Sequence, residues 1–235
     1  MNADPTPIRN ASTVIVLRDR LTEPRVLMGQ RGSNAVFMPN KVVFPGGAVD
    51  IGDAHIPLSQ GLPAVCVDRL VEDCASDLSH SLAAAAIREL WEETGLIVGK
   101  PGTWDGAVPE DWQGFSDAGF VPSGQSLQFI FRAITPPGRP RRFDARFFLI
   151  DADEIANDLD DFSAACEELS HLQWVPIHKA REFDLPFITE VVMAEVLNRA
   201  ADPSPPASIP FFRNLDEQSL FVRLKGKTPL QLLTE

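Results

Sequence analysis

Arg88-Glu89-Leu90-Trp91-Glu92-Glu93-Thr94-Gly95-Leu96 is the stretch on which the reading of this chain turns. It closes a segment, Ser81 to Thr94, rich in Ala, Leu and Glu and followed by Gly95, so a helix with a glycine stop is expected there. On a helix Glu89, Glu92 and Glu93 are related as i, i+3 and i+4, which puts three carboxylates on one face. Leu82, Ala86 and Leu90 fall on the opposite face and should bury against a sheet. Like charges that close destabilise an isolated helix by roughly 0.2–0.5 kcal/mol per pair. Each also resists ionising beside the others unless something compensates. A hard divalent cation such as Mg²⁺ would do so, since it takes oxygen ligands, keeps several waters and shares its shell with phosphates. Arg88, four residues before Glu92, can pair with it. A bare Glu-x-x-Glu-Glu is equally the pattern of a solvated acidic surface.

Working back from the helix, Gly46-Gly47-Ala48-Val49-Asp50-Ile51-Gly52-Asp53 tips the balance toward a site. It combines backbone-permissive residues with two acids, and the glycines let a carbonyl or amide approach a metal or phosphate closely. Gly47, five residues, Asp53, and then Arg-Glu-Leu-x-Glu-Glu-x-Gly-Leu resemble the Nudix box. The second half matches at every defined position. The first half departs in carrying Asp53 where the family has Glu, and in its spacing. Thirty-four residues (54 to 87) separate Asp53 from Arg88, against seven in the usual box.

The interrupted box and Phe37-Met38-Pro39 ahead of Val43-Phe44-Pro45-Gly46-Gly47 resemble one branch in particular, the peroxisomal-type coenzyme A diphosphatases. Pro140 to Phe148, Glu168 to Pro176 and Leu185-Pro186-Phe187-Ile188-Thr189 resemble it too. The resemblance covers residues 10 to 200. It implies an α/β fold, the Nudix α/β/α sandwich with a mixed sheet, here with residues 54–80 inserted in the box and 201–235 as an extension packing on the domain. It implies hydrolysis of coenzyme A or acyl-coenzyme A to 3′,5′-ADP and a 4′-phosphopantetheine product, with Mg²⁺ or Mn²⁺ as cofactor. Glu89, Glu92 and Glu93 would bind the metal with the Gly46 carbonyl, and Arg88 would orient a glutamate. A general base is expected outside the box. Glu168, with its neighbour Glu167, is the candidate, although both also read as solvated loop acids.

Two further features bear on substrate. Arg142, Asp144 and Arg146 alternate on an expected strand and share a face, with Phe143, Ala145 and Phe147 on the other. That row is either a phosphate grip, since arginine holds phosphate bidentately, or a structural ion-pair row. Arg31 is a second phosphate candidate. His80 and Cys74 read as structural, and Trp91 as packing between the helix and the insertion. An NADH, ADP-ribose or sugar-nucleotide pyrophosphatase remains open as an alternative, as does a Nudix ligand sensor without catalysis. The three-glutamate face argues against the sensor.

Elsewhere the chain reads as strands at Ser12–Leu17, Val26–Met28, Lys41–Phe44, Leu127–Ile134, Phe143–Ile150 and Leu172–Val175. Helical spacing of Val67, Leu70, Val71, Cys74 and Leu78 points to a helix within 54–80, and Glu190–Arg199 to another. The proline-rich loop 201–208 is the one plausible linker, and the tail beyond it is expected to fold back as a hairpin. Of the 235 residues, 44% are apolar and 23% charged, as in a globular protein. A net charge of −12 disfavours a nucleic-acid polymer as partner and leaves a small anionic nucleotide open. Three cysteines without tight spacing argue against a disulfide framework or zinc site. There is no apolar run of membrane-spanning length. The polar start and the ending Leu232–Glu235 lack targeting signals, so a cytoplasmic protein is expected, with a homodimer left open.

Overall fold

The run Thr13-Val14-Ile15-Val16-Leu17 is continuously apolar, which a strand needs only if both of its faces are covered. In the computed structural model, which describes residues 6–74, 77–214 and 219–226, both faces are covered. Residues 1–5 and 227–235, which include both chain ends read above, lie outside the described residues. The elements in chain order are β1 (Ile8–Arg18), β2 (Arg25–Arg31), β3 (Val42–Val43), β4 (Gly46–Ala48), α1 (Ala64–Leu70), α2 (Ser79–Thr94), β5 (Gly99–Pro101), α3 (Gln113–Asp117), β6 (Phe120–Pro122), β7 (Gln128–Ile134), β8 (Arg142–Asp151), β9 (Leu169–Pro176), α4 (Phe187–Ala201), β10 (Ile209–Asn214) and β11 (Ser219–Leu224).

Among the described residues the main sheet runs β11-β10-β7-β8-β1-β2-β3, with β4 added to β1 and β9 to β2. It is mixed: β1 is parallel to β8 and β10 to β7, and the other pairs are antiparallel. Val14, Val16, Phe148 and Ile150 face one apolar cluster with Leu82, Ala86 and Leu90 of α2. Ile15, Leu17, Phe147 and Leu149 face the other, with Val192, Met193 and Val196 of α4. This is the expected α/β/α sandwich. Among the described residues no helix is long and apolar enough to cross a membrane.

Several elements differ from the sequence expectation. β1 begins four residues early because Ile8 to Ala11 pair with Arg142 to Ala145. Gly46 to Ala48, beyond the strand expected at Lys41–Phe44, is itself a strand, since its small residues fit against Ala11 to Thr13. Within the insertion the helix covers Ala64–Leu70 only, and Val71, Cys74 and Leu78 lie beyond it. Cys66, Leu70 and Ile56 anchor this excursion in the α2-side core. Residues 99–122 give no element in sequence because their apolar residues follow no regular period. They form a small β5–β6 ribbon with α3, built around Trp104, Trp112 and Phe115. Trp91 packs edge-on against Phe115 of this ribbon unit.

Candidate active site

Ser12 and Thr13 of β1 register with Gly47 and Gly46 of β4, and the Ser12 hydroxyl donates to the Leu82 carbonyl at 2.7 Å. The glycine turn and helix α2 are thereby fixed to one strand. Gly47 then faces Glu89. A Cβ built at Gly47 would stand 2.4 Å from both carboxylate oxygens, so only glycine lets that carboxylate lie against the turn. A Cβ on Gly46 would meet the Ser12 carbonyl oxygen at 2.4 Å, and the Gly46 amide donates to Glu93 Oε2 at 2.7 Å. The two halves of the interrupted box therefore meet in space.

Arg88 is the hub. It donates to both oxygens of Asp53 at 2.9 and 3.1 Å, to the Ala48 carbonyl at 3.1 Å, and to Glu89 at 3.0 Å and Glu92 at 3.3 Å. Burial pulls its guanidinium down, but Asp53, Glu89 and Glu92 outweigh that and raise it. Asp53 is 2% exposed and also accepts from the Asp50 amide, which closes a short 3-10 turn over Ile51–His55. Asp53 is thus Arg88's anchor. The sequence held the signal, an acid after the glycines, but not its partner 35 residues away.

Each glutamate of the helix face pays for desolvation. Burial, with Glu92 and Glu168 nearby, pushes the Glu89 carboxyl up to about 7 against the pull of Arg88. Burial and the charge of Glu89 raise Glu93 well above the usual range. Burial raises Glu92 too, helped by Asp111 from the turn Glu110–Trp112, a neighbour that no pattern in the sequence signalled. Glu93 is 1% exposed, and its Oε1 has no hydrogen-bond partner. Arg31 donates to Glu168 at 3.0 Å, and both act electrostatically on Glu93, so this pair is brought to the same cleft. Glu168, and not Glu167, is the acid that meets Arg31.

Five carboxylates (Asp53, Glu89, Glu92, Glu93, Glu168) thus share two guanidiniums, Arg88 and Arg31. The orphaned Glu93 oxygen and this charge excess fit a divalent cation. Among the described residues no three acidic, histidine or cysteine side chains converge on one point. A cation here would have to draw the glutamate side chains toward it and complete its shell with backbone oxygen, water or phosphate, as Mg²⁺ does.

Arg142 and Arg146, expected as phosphate ligands, are corrected. Arg142 is buried and spends its guanidinium on the Thr135 carbonyl at 3.0 Å and the Asn214 carbonyl at 2.7 Å. Arg146 is buried against Asn10 Oδ1 at 2.7 Å, the Asp144 carboxylate at 3.1 Å and Cys74 Sγ at 3.3 Å. Arg132 holds Asp144 from the other side at 2.7 Å. Asp144 and Arg146 thus form a structural ion-pair cluster with Arg132, while Arg142 is held by backbone carbonyls. His80 Nε2 donates to the Ile56 carbonyl oxygen at 2.9 Å, in keeping with its structural reading.

No family model matches the chain. A curated Caenorhabditis elegans protein called putative nudix hydrolase 7 is 31% identical over 178 residues, 71% of this chain. Those residues cover 51% of that protein, so the chain spans about half the length of the curated relative it matches. The crystal structure of a NUDIX hydrolase from Alicyclobacillus acidocaldarius superposes with a TM-score of 0.62 at 26% identity, covering 83% of this chain and 93% of that one. The fold is that of the Nudix proteins, and the glycine turn facing a glutamate helix, together with both likenesses, supports the Nudix hydrolase superfamily for this chain.

Proposed function

We propose that this chain hydrolyses the pyrophosphate bond of a nucleoside diphosphate linked to another group, and that its substrate is coenzyme A or an acyl-coenzyme A. The observation that carries the chemistry is the desolvated glutamate face of α2, set against the glycine turn with Glu93 Oε1 unpartnered. Glu89, Glu92, Glu93 and the Gly46 carbonyl would hold Mg²⁺ or Mn²⁺. When bound, such a cation polarises phosphate oxygens and lowers the pKa of an adjacent water.

The chain's own residues do the rest. Asp53 fixes Arg88, and Arg88 holds the Glu89 and Glu92 carboxylates in place. Glu168, exposed beside Arg31, would take a proton from the attacking water. Water oxygen bonds to phosphorus, the bond from phosphorus to the bridging oxygen breaks, and the second phosphate leaves as a monoester. Of the three arginine candidates Arg31 is the one in the glutamate cleft, where it would meet a phosphate oxygen alongside its pairing with Glu168, since Arg142 and Arg146 are occupied elsewhere.

The coenzyme A assignment rests on the branch resemblance in the interrupted box and in Pro140 to Phe148. The test is product analysis after incubating purified protein and Mg²⁺ or Mn²⁺ with coenzyme A, 3′-dephospho-coenzyme A, NADH and ADP-ribose. Release of 3′,5′-ADP from coenzyme A at the highest kcat/KM is expected. Brisk cleavage of NADH or ADP-ribose with none of coenzyme A would overturn the substrate. Cleavage of none would overturn the activity and leave the ligand-sensor reading.

A further inference from the structure

Away from the glutamates, a cavity of about 290 Å³ opens between α1, the start of β7 and the proline-rich segment before β10. Its walls include Pro63, Val65, Phe129 and Pro206, and none of its lining residues belongs to the candidate active site. Arg69 of α1 stands in this wall, 6% exposed. Arginine is rarely buried without a carboxylate. Yet among the described residues Arg69 forms no ion pair, and its one acceptor is the Pro206 carbonyl, bonded to Nη2. Its Nε is buried with no hydrogen-bond partner.

The surroundings sharpen the imbalance. Burial holds the Arg69 guanidinium below its usual value, and the charge of Arg199 pushes the same way, against Glu72 and Cys66. Arg199 is itself paired with Glu195. The acid on the cavity wall, Glu154, is engaged by the Ser126 hydroxyl. A desolvated cation lacking an ion-pair partner among the described residues, at the edge of a partly apolar cavity, is half of a binding site.

We propose that this cavity is a second ligand site, which takes a small organic carboxylate with an apolar body. The carboxylate pairs with Arg69, and the body lies among Pro63, Val65, Phe129 and Pro206. The volume is at the lower end for small-molecule sites and suits a ligand smaller than a nucleotide.

The probe is sodium benzoate, with inorganic phosphate as the charge-only control, measured by titration calorimetry and thermal shift on the full chain. Saturable one-to-one binding of benzoate is expected, with phosphate weaker by at least about tenfold. Arg69→Met removes the cation, and Ser126→Trp fills the cavity from its rim while leaving Arg69 in place. Each is expected to weaken benzoate by at least about tenfold. Should Arg69→Met fail to fold, Ser126→Trp decides. No saturable benzoate binding, phosphate binding as tight as benzoate, or binding unchanged in a folded variant would overturn the proposal. Glu93→Gln protein is expected to bind benzoate like wild type, so this site and the hydrolase reading stand or fall separately.

Discussion

Replacing Asp53 by asparagine keeps the shape of the side chain and removes its charge. The asparagine oxygen can still accept from the Asp50 amide or from one Arg88 N–H. Its NH₂ group, however, would face the second Arg88 donor, now 3.1 Å from Asp53 Oδ2. Breaking a buried ion pair by removing one partner costs about 3–5 kcal/mol. Arg88 keeps Glu89, Glu92 and the Ala48 carbonyl, so the lower figure, about 3 kcal/mol, applies. For a domain of this size each kcal/mol moves Tm by about 2–4 °C, giving a fall of about 6–12 °C without metal. Loosening Arg88 also frees Glu89 and Glu92, and loss of such a positioning partner lowers metal affinity or activity by about 10–100-fold. The assay is thermal unfolding without metal, followed by Mn²⁺ titration of both proteins. Asp53→Glu, which restores the family's residue, adds a methylene in a fully buried place and should cost about 1–3 kcal/mol. An asparagine variant with wild-type Tm and wild-type Mn²⁺ affinity would refute the anchoring role.

Three more outcomes follow from the same geometry. Glu93→Gln should lower activity by at least about 10²-fold while holding or raising the metal-free Tm, because a neutral amide still accepts from Gly46 and relieves repulsion with Glu89; near-normal turnover would remove Glu93 from the site. Glu89 titrates near 7 in the fold against 4.5 for its ordinary value, so between those pH values the folded state holds a proton that the unfolded state has lost. Metal-free stability should therefore fall, by at most about 3 kcal/mol from this group, as pH rises from about 4.5 to 7, and Mn²⁺ should reverse the trend; a metal-free Tm that climbs over that window counts against it. Arg146→Met should destabilise by about 3 kcal/mol and leave the ratio of kcat/KM for coenzyme A and 3′-dephospho-coenzyme A unchanged; a selective loss on coenzyme A would restore Arg146 as a phosphate ligand.

Helix α2 and its glutamate face were legible because i, i+3, i+4 spacing and a glycine stop are local signals. The sandwich was expected from the resemblance that the box carries, and the apolar run in β1, which needs cover on both faces, accords with it. The fate of Arg142 and Arg146 was not legible, because alternation fixes which side chains share a face but not what lies above that face. Here it is Asn10, Cys74 and the Asn214 carbonyl, distant in sequence. Asp111 was hidden for a related reason: its turn is held over Glu92 by Trp91, Trp112 and Phe115, whose contacts follow no period.

The parallel pairing of β1 with β8 also sets an order of assembly. The site's framework of β1, β4 and α2 lies within residues 8–94, but the second edge of β1 is satisfied only by residues 142–151. During synthesis β2 is finished at Arg31 and β8 at Asp151, a lag of 151 − 31 = 120 residues. At 5–20 residues per second that is roughly 6–24 s. Throughout it the Thr13–Leu17 edge, β-branched and uncharged, has open backbone donors and acceptors. A nascent chain of this protein is therefore most exposed to wrong strand pairing between the completion of its first hairpin and the closing of its sheet.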